Sequence, residues 1–162
     1  MNSIGEIMAY ISGFGTISAK RIAALAILSS TPFMMGAAPL ARVNVNLQGL
    51  RSDKGNILIC LTEAPTHFPN CSDDPNARRL KIPTAQAAHI SFDDLASGDY
   101  AVALIHDENA NGKLDVAGII PTEGVGFSRN PRLWFSAPKF KSADFPVASA
   151  PVEQDIKMKY FL

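Results

Sequence analysis

In ARVNVNLQ, residues 41–48, apolar Val43, Val45 and Leu47 alternate with polar Arg42, Asn44 and Asn46. A period of two sends successive side chains to opposite faces of an extended chain, so this stretch is predicted to be a half-buried strand. The pattern recurs with Ala88, Ile90 and Phe92 in AAHISFDDL, and with Ile156, Met158, Tyr160 and Leu162 in VEQDIKMKYFL. Two other stretches, GNILICLTE and YAVALIHD, are continuous apolar runs. Runs of this length suit strands in the middle of a packed sheet. No segment downstream of residue 40 carries a helical stripe, and prolines recur through it. Five or more strands separated by turn signals predict an all-β fold, a sandwich or a barrel.

Upstream the pattern changes. Lys20-Arg21 precede the apolar run from Ile22 to Met35, and small residues follow at Gly36, Ala37, Ala38 and Ala41. This is the order of a secretory signal. The run falls short of the roughly 20 apolar residues that span a bilayer, and Ser29, Ser30, Thr31 and Pro32 interrupt it. We therefore expect a signal peptide over residues 1–38, cleaved between about 36 and 41. Residues 39–162 then form a single β-sandwich domain, periplasmic or secreted, with no membrane span in the mature form. The alternative is an uncleaved anchor, and the long stretch before Lys20 allows a start at Met8.

Fifteen basic residues balance fifteen acidic ones. Losing Lys20, Arg21 and Glu6 takes these to thirteen and fourteen. Such a neutral chain has no basic stripe with which to hold nucleic acid. Export gives the only two cysteines, Cys60 and Cys71, a compartment in which they can pair. A bridge over so short a loop would contribute about 3 kcal/mol. Two free thiols are the other reading.

The stretch HDENANGKLD begins where the run YAVALI ends. Counting from Asp107, side-chain oxygens fall at the first, third and fifth positions through Asn109 and Asn111. Gly112 is sixth, the Lys113 carbonyl seventh and Asp115 ninth. That is the first part of an oxygen cage for Ca2+. The bidentate glutamate expected at the twelfth position is Gly118, so a replacement must come from elsewhere. Glu123 in PTEGVGF is the nearest and Glu108 a poorer one. A strand leading in, instead of a helix, excludes an EF-hand. Asn, Asp and Gly are equally the residues of a plain turn, so both readings stand. His106 is read as a strand-end residue, since Ca2+ prefers oxygen. Leu95 to Tyr100 encloses Gly98 and fits a corner in which the tyrosine hydroxyl pins the preceding turn, or an ordinary core tyrosine.

Two function classes follow. FSRNPRLWFSAPKF, followed by Lys141, interleaves Arg129, Arg132 and Lys139 with Phe127, Trp134, Phe135 and Phe140. An exposed Trp134 would stack on a glycan or grip an acidic polymer, whereas aromatics in strands usually fill cores. The chain lacks GxSxG, HExxH and a glycine-rich phosphate loop. We read it as a non-enzymatic binding or envelope-structural module whose partner is an envelope protein or a glycan. The competing class is a metal-assisted or carboxylate-based hydrolase using the acidic loop.

YAVALIHDENANGKLD followed by GIIPTEGVGFSRNP, with the early strand and the APKF segment, resembles the family of exported bacterial proteins known as domain of unknown function 2141. The resemblance covers roughly the whole chain after the leader and rests on HDENxNGKLD paired with PxEGxGFS. It implies an immunoglobulin-like or prealbumin-like sandwich outside the cytoplasm and no particular activity. Ile119-Ile120 stand before Pro121 where the family pattern leads us to expect a shorter, glycine-containing approach.

Overall fold

The alternating segments pair with one another, and the continuous runs pair with one another. The computed structural model describes residues 40–134 and 136–162. The expected leader and Phe135 lie outside the described residues. In chain order the strands are β1 (Ala41–Gln48), β2 (Asn56–Thr62), β3 (Arg78–Pro83), β4 (His89–Leu95) and β5 (Gly98–Asp107). They are followed by β6 (Val116–Ala117), β7 (Ile120–Pro121), β8 (Gly124–Phe127), β9 (Phe145–Val147) and β10 (Val152–Lys157). One turn of helix, α1 (Phe140–Ala143), stands between β8 and β9. Over the described residues the expectation of an all-β fold is met, with this one short helix.

One sheet has three strands in the order β10-β1-β4, with β10 parallel and β4 antiparallel to β1. The other runs β3-β2-β5-β8, all antiparallel, and β9 also pairs with β5. Strands β6 and β7 form a small ribbon of their own. The two continuous runs, β2 and β5, are thus interior strands, as their composition predicts. Among the described residues no helix is long and apolar enough to cross a membrane.

The main core is built from both sheets, and two small clusters lie on the other side of the larger sheet, around Ala101 and Phe140 and around Ala103 and Phe127. Val43, Val45, Ile90, Phe92 and Ile156 come from the three-stranded sheet, and Ile57, Ile59, Leu61, Val102 and Leu104 from the other. Burial of each such side chain stabilises the fold by about 1.5–3 kcal/mol. The Tyr100 hydroxyl donates to the Ala96 carbonyl at 3.1 Å, so the phenol does pin the turn before β5. The C-terminal alternation holds through Met158, which is buried, and Tyr160, then breaks at exposed Leu162.

The outer faces of the two sheets differ. On the three-stranded sheet polar rows cross the strands. Ser91 Oγ donates to Asn44 Oδ1, and Asn44 Nδ2 donates to Glu153. In the next row His89 meets Asn46, whose amide donates to Asp155 and Glu153. Opposed residues of an antiparallel pair share a face, so the register of the other sheet fixes its outer rows too. The two central rows read Lys81–Leu58–Ile105–Val125 and Arg79–Cys60–Ala103–Phe127, flanked by Pro83–Asn56–Asp107 on one side and Thr62–Ala101 on the other. Each central row starts with a cation on β3 and is otherwise apolar.

Candidate functional site

The motif HDENANGKLD leaves the end of β5 and folds onto its own backbone. Asp107 is fully buried, its Oδ1 accepting the Asn111 amide at 3.0 Å and its Oδ2 the Gly112 amide at 2.9 Å. Asn109 Oδ1 also accepts the Asn111 amide, and Asn111 Oδ1 accepts that of Lys113, both at 3.0 Å. The two asparagine Nδ2 groups converge on Asp115 Oδ2, at 2.6 Å from Asn109 and 2.7 Å from Asn111. Gly112 takes φ +84°, a left-handed conformation that costs a glycine nothing.

The second motif, PTEGVGFS, closes this loop from the neighbouring strand. Glu123 is buried and accepts the Glu108 amide on Oε1 at 3.2 Å and the Asp115 amide on Oε2 at 3.0 Å. Gly124 lies opposite His106 in the β5–β8 pair. A Cβ on Gly124 would sit 2.4 Å from the Tyr160 ring, and one on Gly126 would sit 2.8 Å from Leu104 and 2.9 Å from Ile156. Both positions must therefore be glycine for the C-terminal segment to pack over β8. The Ser128 hydroxyl accepts the Val102 amide at 2.9 Å and donates to the Ala143 carbonyl at 2.6 Å, which joins β5 to α1.

The expected ligand set is accordingly gathered in one place. Asp107, Asn109, Asn111, Asp115 and Glu123 are linked by hydrogen bonds to one another or to each other's backbone, and Lys113 contributes an amide. Among the described residues no group of three or more His, Cys, Asp or Glu side chains is arranged to hold a metal ion. Both oxygens of Asp107 and of Glu123 and one of Asp115 accept from N–H donors, and two of the expected donor side chains are amides. Glu108 points away from the loop and pairs with Arg51 and with Ser52 Oγ at 2.7 Å. The Arg51 hydrogen bonds hold the Glu108 carboxyl below the usual carboxylate range.

Behind the loop lies a network that sequence reasoning missed. His106 is fully buried; its Nε2 is 2.9 Å from the Lys54 carbonyl and its Nδ1 is 2.7 Å from the Tyr160 hydroxyl. A carbonyl only accepts, so Nε2–H donates to it, and Nδ1 in that tautomer accepts a hydrogen bond from the Tyr160 hydroxyl. Arg51 lies over the Tyr160 ring, 4.4 Å from its centre, and donates to the Thr122 and Leu162 carbonyls. Burial pushes the Tyr160 hydroxyl up from its ordinary value. The only sequence signal for this network was a histidine at the end of an apolar run.

Cys60 on β2 and Cys71, in the 3-10 turn Cys71–Asp73, stand at disulfide distance with Cα atoms 6.4 Å apart. The aromatic segment divides. Phe127 and Phe140 are buried and both pack edge-on against Phe68, with ring centres 5.9 Å apart, whereas Trp134 is 73% exposed.

Beside the loop an open cleft of about 1120 Å³ runs over the outer face of the β3-β2-β5-β8 sheet. Leu58, Ile105 and Val125 belong to its lining, as do Gly112, Lys113 and Leu114 of the loop. Val116, Ile119 and Ile120 of the β6–β7 ribbon and Trp134 also border it. Ile119 is 75% exposed and Val116 53%. Monomeric surfaces rarely leave so many large apolar side chains adjoining one another without a binding role.

These features define an all-β protein in which two motifs on adjacent strands stitch a loop to the end of a sheet, with an apolar cleft alongside. A family model described as "Uncharacterized protein conserved in bacteria (DUF2141)" matches residues 45–155, well over half of the chain, and the chain belongs to that family. No curated protein and no solved structure gives a match.

Proposed function

We propose that this chain is an exported, non-enzymatic binding module whose working surface is the cleft over the five-stranded sheet. In this reading residues 1–38 are a signal peptide, and residues 39–162 are one sandwich of immunoglobulin-like or prealbumin-like type in the periplasm or outside the cell. The observation that carries the proposal is the contrast between the two outer faces. One is covered by polar rows; the two central rows of the other are apolar beyond their β3 cations, with Leu58 and Ile105 half-buried on the floor and Ile119 and Trp134 standing into solvent. The leader pattern and the cysteine pair at disulfide distance support export.

The test is a titration of the full chain with N-phenylnaphthylamine, a neutral dye that brightens in apolar surroundings. A saturable rise that Trp134→Ala and Ile119→Ser weaken supports the proposal. Both side chains are exposed, so neither change disturbs the core. No rise overturns it.

The same reading gives the loop a weak Ca2+ site. Asp107, Asp115 and Glu123 would supply charge, Asn109 and Asn111 their amide oxygens and Lys113 its carbonyl, with affinity of order 10⁻⁴ to 10⁻³ M. Support comes from the gathering of these residues in one loop. An ion would have to compete with the backbone amides on Asp107, Glu123, Asn109 and Asn111 as well as displace the two asparagine bonds to Asp115, hence the low affinity. Calorimetric titration with Ca2+ checks this: heat that vanishes in Asp107→Ala supports the site, and no heat at millimolar ion removes it. The hydrolase alternative draws no support from the loop, because both oxygens of Asp107 and both of Glu123 accept backbone amides.

A further inference from the structure

The charges around the cleft bear on what it would hold. Three charged side chains line it, Arg79, Lys81 and Lys113, and all are cations; among the described lining residues there is no Asp or Glu. In a chain with fifteen residues of each sign, that segregation is local. Arg79 and Lys81 lie two residues apart on β3 and share the outer face, so their charged ends border the same side of the floor. The Arg79 Nη1 donates to the Ser72 carbonyl at 3.0 Å, which tethers one end of the guanidinium at that border. From this edge the floor continues through Leu58 and Ile105 to Val125 with no polar side chain in the row.

We propose that the cleft binds a single-chain fatty acid, the carboxylate held at Arg79 and Lys81 and the tail laid across the sheet toward Val125, Ile119 and Trp134. This rests on the binding reading above and adds the ligand class. Three steps of about 4.8 Å separate β3 from β8, a floor of about 14 Å that a medium-length acyl chain spans. The cleft volume of about 1120 Å³ is close to the upper end of the roughly 300–1,000 Å³ usual for small-molecule pockets. A head of one negative charge matches a wholly cationic border, and a carboxylate accepts the paired N–H groups of a guanidinium. A second copy of this chain would present another cationic border to the first and leave it unneutralised.

The experiment uses the full chain and two dyes, dansyl-labelled undecanoic acid and neutral N-phenylnaphthylamine. The proposal expects saturable binding of the dansyl acid, displaced by dodecanoate and much less by its methyl ester. In Arg79→Glu/Lys81→Glu the dansyl acid should bind about tenfold or more weakly, because two charge-assisted contacts are lost. Binding of N-phenylnaphthylamine should stay unchanged, which also reports that the exposed variant is folded. Equal binding of acid and ester, or no effect of the double variant, overturns the fatty-acid assignment while leaving the apolar cleft intact. Failure of both dyes overturns the binding reading itself. Exclusion of the dyes by a concentration-dependent dimer, or by adsorption of the protein to phosphatidylglycerol vesicles, would give the cleft to a second copy or a membrane surface and overturn the assignment as well.

Discussion

Glu123 accepts the backbone amide of Asp115 at 3.0 Å across the end of the β5–β8 pair, and so ties the two signature motifs together. Its other oxygen takes the Glu108 amide, and the side chain is buried. Removing a buried acceptor leaves both amides without partners, at a cost of about 1–3 kcal/mol. Glu123→Ala should lower stability by that amount and accelerate hydrogen exchange at Glu108 and Asp115 ahead of the core strands. Unchanged exchange at those two amides would show that Glu123 does not hold the loop.

The glycines of β8 make a steric prediction. Gly126→Ala would place a methyl group against Leu104, Ile156 and Met158, which are all buried in the common core. Overpacking of this kind costs about 1–3 kcal/mol. Denaturant unfolding should show the loss, and Leu104→Val, which removes the Leu104 Cδ1 nearest the added methyl, should recover part of it.

The cysteine pair closes a loop of eleven residues' separation. In the chain-entropy view a bridge of this size contributes about 3 kcal/mol. Reductant should lower the unfolding midpoint of the wild-type chain and leave Cys60→Ser/Cys71→Ser unaffected.

Stability should fall at both ends of the pH range. Burial first, and then the Glu63 carboxylate, push the Tyr100 hydroxyl up to about 12 from 10.0. Between these values the unfolded chain ionises and the folded one does not. This contribution is whole below about pH 10 and is lost as pH rises toward 12. Asp74 moves the other way, lowered first by the Thr62 hydroxyl and then by the Asn76 amide. Its contribution is present above the unfolded value of about 4 and is lost as pH falls through the lower folded value. Unfolding midpoints across pH should show Tyr100→Phe flattening the alkaline limb alone and Thr62→Val the acid limb alone.

How much of this was legible beforehand depended on periodicity. β1, β4 and the first part of the C-terminal segment alternate because one face is core and the other is polar, and they fold as their spacing predicts. β3 and β8 gave no such signal. RRLKIP lies on an exposed edge with little to bury, and GVGF turns two side-chain-free positions to the core. The loop residues were identifiable from their odd spacing, but a one-dimensional count could not show that their oxygens face N–H donors. The cleft was written in the sequence in a form open to another meaning. Continuous runs in β2 and β5 imply apolar faces on both sides, which is equally the mark of a strand covered on both sides. Only the register of β3, β2, β5 and β8 shows that the second face meets a border of Arg79 and Lys81.

The central claim, that the apolar outer face is an open binding surface, is tested most directly by the emission of Trp134, the one tryptophan of the chain. In the free protein the spectrum should be that of a solvated indole, readily quenched by acrylamide. Adding dodecanoate should move it to shorter wavelength and shield it, saturating with ligand. A spectrum already blue and shielded in the free chain would contradict the account, whereas one that dodecanoate leaves unmoved would remove the fatty-acid assignment alone.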